Sequence, residues 1–296
     1  MKGFLKSFSI LGLIFGLVLL IGSSALALAQ EGRVDRATVP FSDPSSPGTV
    51  KVTVFRGGIT VTGYSGKEVT VEARVRGSML QENEEEVNEK ARGMRLIRSS
   101  ASGLSISEED NVMSIGSQSM KAAVDITIQV PFKTTLKLGC FNNGDITVDK
   151  VTGEVEVNNH NGAITLTDIT GSVVANTFNG ELKVTFVSIM PDKPMSFSTW
   201  NGDVDVTLPG SFKADVMLNS EQGDIYSDFE VQIKAQPPQA QEEDQEQNEE
   251  QEVRGERRER ARYRIRFDKS IYGAINGGGP AFTFKTFNGD IYLRKK

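Results

Sequence analysis

Residues 142–182 read NNGDITVDKVTGEVEVNNHNGAITLTDITGSVVANTFNGEL, and the architecture follows from the spacing inside this stretch. Asn-Gly falls at Asn143-Gly144, Asn161-Gly162 and Asn179-Gly180, with the glycines 18 residues apart. Thr152-Gly153 and Thr170-Gly171 fall midway, so a glycine arrives every nine residues. The apolar residues keep the same beat: Ile146, Ile164 and Leu182; Val148, Leu166 and Val184; Val151, Ile169 and Val187; Val155 with Val173; Val157 with Ala175. Within each unit they alternate with polar residues, the period-two pattern of half-buried strands.

Working outward, the pattern continues at Asn201-Gly202 and Asn288-Gly289, with Gln222-Gly223 as a degenerate copy. An earlier copy runs from Gly58 to Tyr64, followed by Val69 and Val71, and a last one runs from Phe287 to Leu293. Asn-Gly is a strong hairpin signal, so an antiparallel β meander or sandwich is one architecture that uses these turns. A meander gives no reason for the same residue class to recur at five positions per unit. In a β-solenoid, equivalent positions stack about 4.8 Å apart and share one environment. The expected fold is therefore all-β, a β-solenoid (β-helix) of roughly 18-residue repeats, with the meander as the alternative.

Three stretches interrupt the repeat. Residues 81–93 are acidic and rich in helix formers, which predicts a short solvent-facing helix. Residues 99–119 read as short strands around a turn. Residues 236–261 carry a run of acids and then arginines, which predicts a disordered, solvated charged loop.

At the start of the chain Lys2 and Lys6 precede an apolar run from Phe8 to Ile21, and small residues follow up to Ala29. This is the pattern of a secretory signal peptide over residues 1–29. Cleavage near Ala29 leaves residues 30–296 as a β-strand-repeat domain, periplasmic or extracellular; an uncleaved anchor is the other reading. No second long apolar segment follows, so no transmembrane segment is expected in the mature chain. The formal charge of −6 becomes −8 without Lys2 and Lys6, which argues against nucleic-acid binding. With one cysteine, Cys140, and one histidine, His160, an intramolecular disulfide and a Cys/His zinc site are excluded. Cys140 is best protected in an oxidising compartment if it is buried.

Catalytic candidates do not converge, so no enzyme activity, cofactor or metal is expected. Asp145, Glu181, Asp203, Asp224 and Asp290 follow the turns and invite a calcium reading, but Ala163 interrupts the series. The aspartates are expected to hydrogen-bond within their own turns. The turn positions themselves, Asn143, Gly144, Gly153, Asn161, Gly162, Gly171, Asn179, Gly180, Asn201, Gly202, Gly223, Asn288 and Gly289, are structural. His160 lies two residues before Gly162, in register with Asn142, Phe178, Trp200, Glu221 and Phe287. Stacked units place His160, Phe178, Trp200 and Phe287 in one aromatic column, either a stacking platform for a sugar or peptide or a shield for the turn.

The repeated x-N-G-[DEA]-[ILV]-x-[VL] unit alternating with V/I-T-G-x-V resembles a bacterial β-strand-repeat family of unknown function. Its members are labelled putative adhesins and are similar to auto-transporter adhesin head domains. Residues 141–228 and 281–293 carry the resemblance. It implies turns and core positions and no catalytic residues. The expected function is an exported, non-enzymatic adhesin or envelope scaffold that binds an envelope protein or glycan. An envelope stress or signalling protein acting through the charged loop is the second reading. A glycan-acting enzyme built on Asp203 and Asp224 ranks last.

Overall fold

The computed structural model describes residues 34–76, 102–117, 122–235 and 269–296. The signal segment at 1–29, the helix expected at 81–93 and the charged loop expected at 236–261 lie outside the described residues. Among the described residues the chain forms twenty β-strands and no helix.

Sixteen strand segments build two parallel layers. In the first, β6 (Val112–Ser117) is followed in space by β2 (Gly48–Arg56), β8 (Thr134–Asn142) and β10 (Thr152–Asn161). Next come the second half of β11 (Ile164–Asn179), β13 (Met195–Asn201), β19 (Ala281–Thr286) and β15 (Ala214–Ser220). The second layer runs β7 (Ala123–Pro131), β3 (Ile59–Tyr64), β9 (Ile146–Asp149) and the first half of β11. It continues through β12 (Leu182–Ile189), β14 (Val204–Leu208), β20 (Ile291–Lys295) and β16 (Ile225–Ser227). Each unit contributes one strand to each layer, and β11 passes from one layer into the other.

Register follows the sequence period. Ile146 pairs with Ile164, Ile164 with Leu182, Leu182 with Val204 and Val204 with Ile291, so one apolar class forms a continuous row. All five side chains are fully buried. The layers meet through Phe186 and Phe197, edge to face at 6.3 Å between centroids. Phe197 also stacks on Phe284 at 5.1 Å, which ties the C-terminal unit to the same core. Burying such side chains stabilises the fold by about 1.5–3 kcal/mol each.

Among the described residues antiparallel pairing, which a meander would use throughout, is confined to the two ends. At one end β5 (Leu104–Glu109) pairs with β6, while β4 (Glu68–Arg76) pairs with β7 and β1 (Val34–Pro40) with β4. At the other, β18 (Ile271–Ile275) pairs with β15 and β17 (Val231–Ile233) with β18. Residues 99–119 were expected as short strands around a turn, and β5 and β6 form that hairpin.

Two features depart from a simple reading of the repeat. Stack order is not chain order: β2–β3 lies between β6–β7 and β8–β9, and β19–β20 is inserted between β13–β14 and β15–β16. Val187, expected in the core beside Val151 and Ile169, is instead 50% exposed. Lys150 and Asp168 each occupy a left-handed conformation (φ 56° and 52°), adding a bulge residue before Val151 and Ile169. No such residue precedes the corresponding position of β12, so Phe186 pairs with Ile169 and takes the buried place.

Candidate functional site

The corner between the layers is built from four ladders. Asn142 accepts from Asn161 (3.2 Å), Asn161 from Asn179 (2.7 Å), Asn179 from Asn201 (2.7 Å) and Asn201 from Asn288 (2.7 Å). Each of the three interior amides, Asn161, Asn179 and Asn201, thus spends one N–H and one oxygen lone pair on its neighbours along the stack. The rung in the first of these units is Asn142, whereas Asn143 had been expected to hold it. Asn143 is an additional residue at φ 55°, and it shifts everything before it by one position relative to the later units.

Beneath the asparagines the glycines stack backbone on backbone. Gly162, Gly180, Gly202 and Gly289 sit at φ between 140° and 152°, and a Cβ on any of them would overlap the carbonyl oxygen of the glycine in the adjoining unit. Gly153 and Gly171 form the equivalent pair at the second turn, and Gly223 closes onto Gly289. At the other end of the ladder, Gly57 packs against Gly144, so the turn glycine of the earliest copy is Gly57 and not Gly58.

Along the Asn-Gly corner a buried side chain caps the glycine carbonyl of each of six units. Thr177 donates to Gly162 O (3.0 Å), Thr199 to Gly180 O (3.0 Å), Thr286 to Gly202 O (2.9 Å), Ser220 to Gly289 O (2.8 Å) and Asn159 to Gly144 O (2.9 Å). Cys140 holds the same place, with Sγ 3.0 Å from Gly57 O. It is 4% exposed, and burial pushes its thiol above the ordinary range. The lone cysteine is a rung of the ladder.

The acids after the turns bridge units, where hydrogen bonds within each turn had been expected. Asp145 accepts from Ala163 N (2.8 Å), Asp203 from Asp290 N (2.8 Å) and Asp290 from Asp224 N (2.9 Å). Stacking brings the next unit's amide over the carboxylate, which is why the intra-turn geometry loses. Asp203 and Asp224 are separated by the Asp290 rung. Among the described residues no group of three or more His, Cys, Asp or Glu is placed to hold a metal ion.

Outside the corner runs a row of six rings: Phe55, Phe141, His160, Phe178, Trp200 and Phe287. Successive centroids are 5.5, 5.0, 5.2, 5.8 and 4.4 Å apart, and successive planes lie within 12° of parallel. The four residues expected in one column, His160, Phe178, Trp200 and Phe287, are all in it. Phe141 and Phe55 extend it, and Asn142 and Glu221 do not contribute rings. Phe141 escaped the sequence reading because Asn143 displaces the count by one; the doubled Asn142-Asn143 before Gly144 is the signal that could have found it. The interior rings cover one another's faces and present their edges to solvent. Phe141 is 53% exposed and Trp200 46%.

Beside the row, on the outer surface of the first layer, lies a shelf of small residues: Thr53, Gly139, Asn158, Asn176 and Ser198. Asn176 donates to Asn158 Oδ1 at 3.2 Å. Where the shelf has a glycine it sinks into an open groove of about 520 Å³, walled by Phe55, Phe141 and His160 and floored by Thr53, Gly139 and Asn158.

These features define an all-β repeat protein whose exposed chemistry is a ring row with a polar shelf. The chain belongs to the Toastrack DUF4097 family, whose model matches residues 98–266. No curated protein matches it. Among solved structures, a putative cell adhesion protein from Clostridium sporogenes ATCC 15579 is similar at 11% identity and a TM-score of 0.44, over 89% of this chain and 100% of that one. Among the described residues no helix is long and apolar enough to cross a membrane.

Proposed function

We propose that this chain is an exported β-solenoid of roughly 18-residue repeats that acts without catalysis, as an envelope scaffold or adhesin holding an envelope protein or glycan on its ring row. The observation that carries the reading is a row of six contiguous rings on a parallel ladder, five of them exposed and Phe287 half-buried. Burial of aromatic rings is strongly favourable, so a surface that displays them in one patch is suited to being covered by a partner. The ladders beneath fix every ring's position, so recognition costs little ordering of side chains. Export is supported by the sequence of residues 1–29.

The test is capture from an envelope extract by the full chain and by a Phe141→Ala/Phe178→Ala/Trp200→Ala variant. The row reading expects the variant to lose what the parent retains while its thermal unfolding stays cooperative. Equal retention by both proteins would remove the ring row from the function. Turnover of any extracted polysaccharide would remove the non-enzymatic part.

A further inference from the structure

We infer that the groove beside Phe55, Phe141 and His160 is the binding site for a neutral linear glycan lying along the stack. The inference rests on the ring row being a recognition surface and names the ligand class for one part of it. The lining decides the class. Among the described residues no Lys, Arg, Asp or Glu lines this groove, and the imidazole of His160 is its one exposed titratable side chain, so it offers no fixed charge to a ligand. Its walls are the edges of stacked rings, an apolar surface that makes van der Waals contact with C–H groups. Its floor carries uncharged hydrogen-bonding groups: the Thr53 hydroxyl, and the Asn158 amide, whose oxygen accepts from Asn176 (3.2 Å) while its Nδ2 has no partner among the described residues. A sugar presents the same two chemistries, C–H surface and hydroxyls that both donate and accept, whereas a peptide lying here would have to place backbone groups without a strand edge to pair with. Polar shelf and ring row run side by side from unit to unit, which suits a polymer over a single sugar.

Gly139 makes the groove testable without disturbing the fold. A Cβ at this position meets only Val52 O, at 3.9 Å, and its φ lies outside the left-handed region. A larger side chain here fills the groove and leaves the ladders untouched. The full chain is passed over immobilised short linear oligomers of β-linked glucose and of N-acetylglucosamine, with a uronic-acid oligomer as the charged comparison. Retention of at least one neutral oligomer is expected, undiminished by salt because no charge contributes. Gly139→Leu is expected to weaken it by about tenfold or more, and Asn158→Ala by about fivefold through loss of a hydrogen bond. Tyr226→Ala, on the outer face of the other layer, leaves it unchanged.

Equal retention by parent, Gly139→Leu and Asn158→Ala overturns the inference, as does retention of the uronic-acid oligomer alone. If no oligomer is retained, the glycan site is overturned. In that case the envelope-extract capture separates the two ideas. Loss of a captured protein in the triple ring variant leaves the ring row as a recognition surface for a different ligand, and no loss removes both.

Discussion

Gly180→Ala tests the backbone ladder at its centre. Gly180 sits at φ 152°, and a Cβ there would overlap Gly162 O and lie 2.5 Å from Gly162 C and 2.9 Å from Ala163 N. Those atoms are backbone, held by the next unit, so no side chain can swing aside. The conformation alone costs an L-residue about 1–3 kcal/mol. Relieving the overlap separates two rungs and weakens the bonds of Gly162 N to Asn179 O (2.8 Å) and of Thr177 Oγ1 to Gly162 O (3.0 Å). At roughly 1 kcal/mol for each bond, the total comes to about 3–5 kcal/mol. Gly139→Ala is the matched control: it adds the same methyl where space is open and φ is ordinary, and it is expected to stabilise by about 0.4–1 kcal/mol by restricting the unfolded chain. Urea unfolding followed by Trp200 fluorescence gives both values. If Gly180→Ala lies within about 1 kcal/mol of the parent, or if the two substitutions move the midpoint alike, the close stacking of glycines is not what holds the corner.

The amide ladder predicts that Asn179→Ala, which removes two 2.7 Å bonds, destabilises by about 2 kcal/mol, read from the same urea curves. Cys140 shares its role with Thr177, Thr199 and Thr286, so Cys140→Ser should stay within about 1 kcal/mol of the parent, while the native thiol should react with a disulfide reagent only after urea is added. Tyr292 donates to Asp290 Oδ2 at 2.9 Å, and that bond, ahead of burial and the charge of Asp290, pushes its phenol from 10.0 up to about 12. A pKa raised on folding means stability that is complete below pH 10.0 and is lost as pH climbs through about 12. Absorbance titration of tyrosinate should show Tyr292 ionising late, with Tyr226 also raised by the charge of Asp224, and the Tyr292 step should move down in Asp290→Asn; an unmoved titration would separate the shift from that contact.

Much of the molecule could be read directly from residues such as Ile146, Ile164 and Leu182. Their recurrence at one spacing, with polar residues between, places strands, turns and the buried face, because a side-chain period of two fixes which side of each strand faces the core. The ring column was legible for His160, Phe178, Trp200 and Phe287, which share one distance from their Asn-Gly turns. It failed at Phe141, because a single left-handed residue at Asn143 changes the count without changing the pattern. It failed also at Val187, where the missing bulge residue gives the buried place to Phe186. Local conformations of this kind depend on the strand lying alongside, and no period in the chain records them.

What the sequence determined by itself is therefore the repeating strand, its turn chemistry and the identity of its core. Only the tertiary structure decided the order of the units, with β2–β3 and β19–β20 inserted inside the stack rather than at its ends. The reason lies in the repeat. Units that present equivalent edges and equivalent apolar rows can pair in more than one order, so the choice falls to particular contacts such as Phe197 on Phe284 and Trp200 on Phe287. That choice also completes the ring row: Phe287, from the last unit of the chain, lies against Trp200 because its unit is inserted next to that of β13.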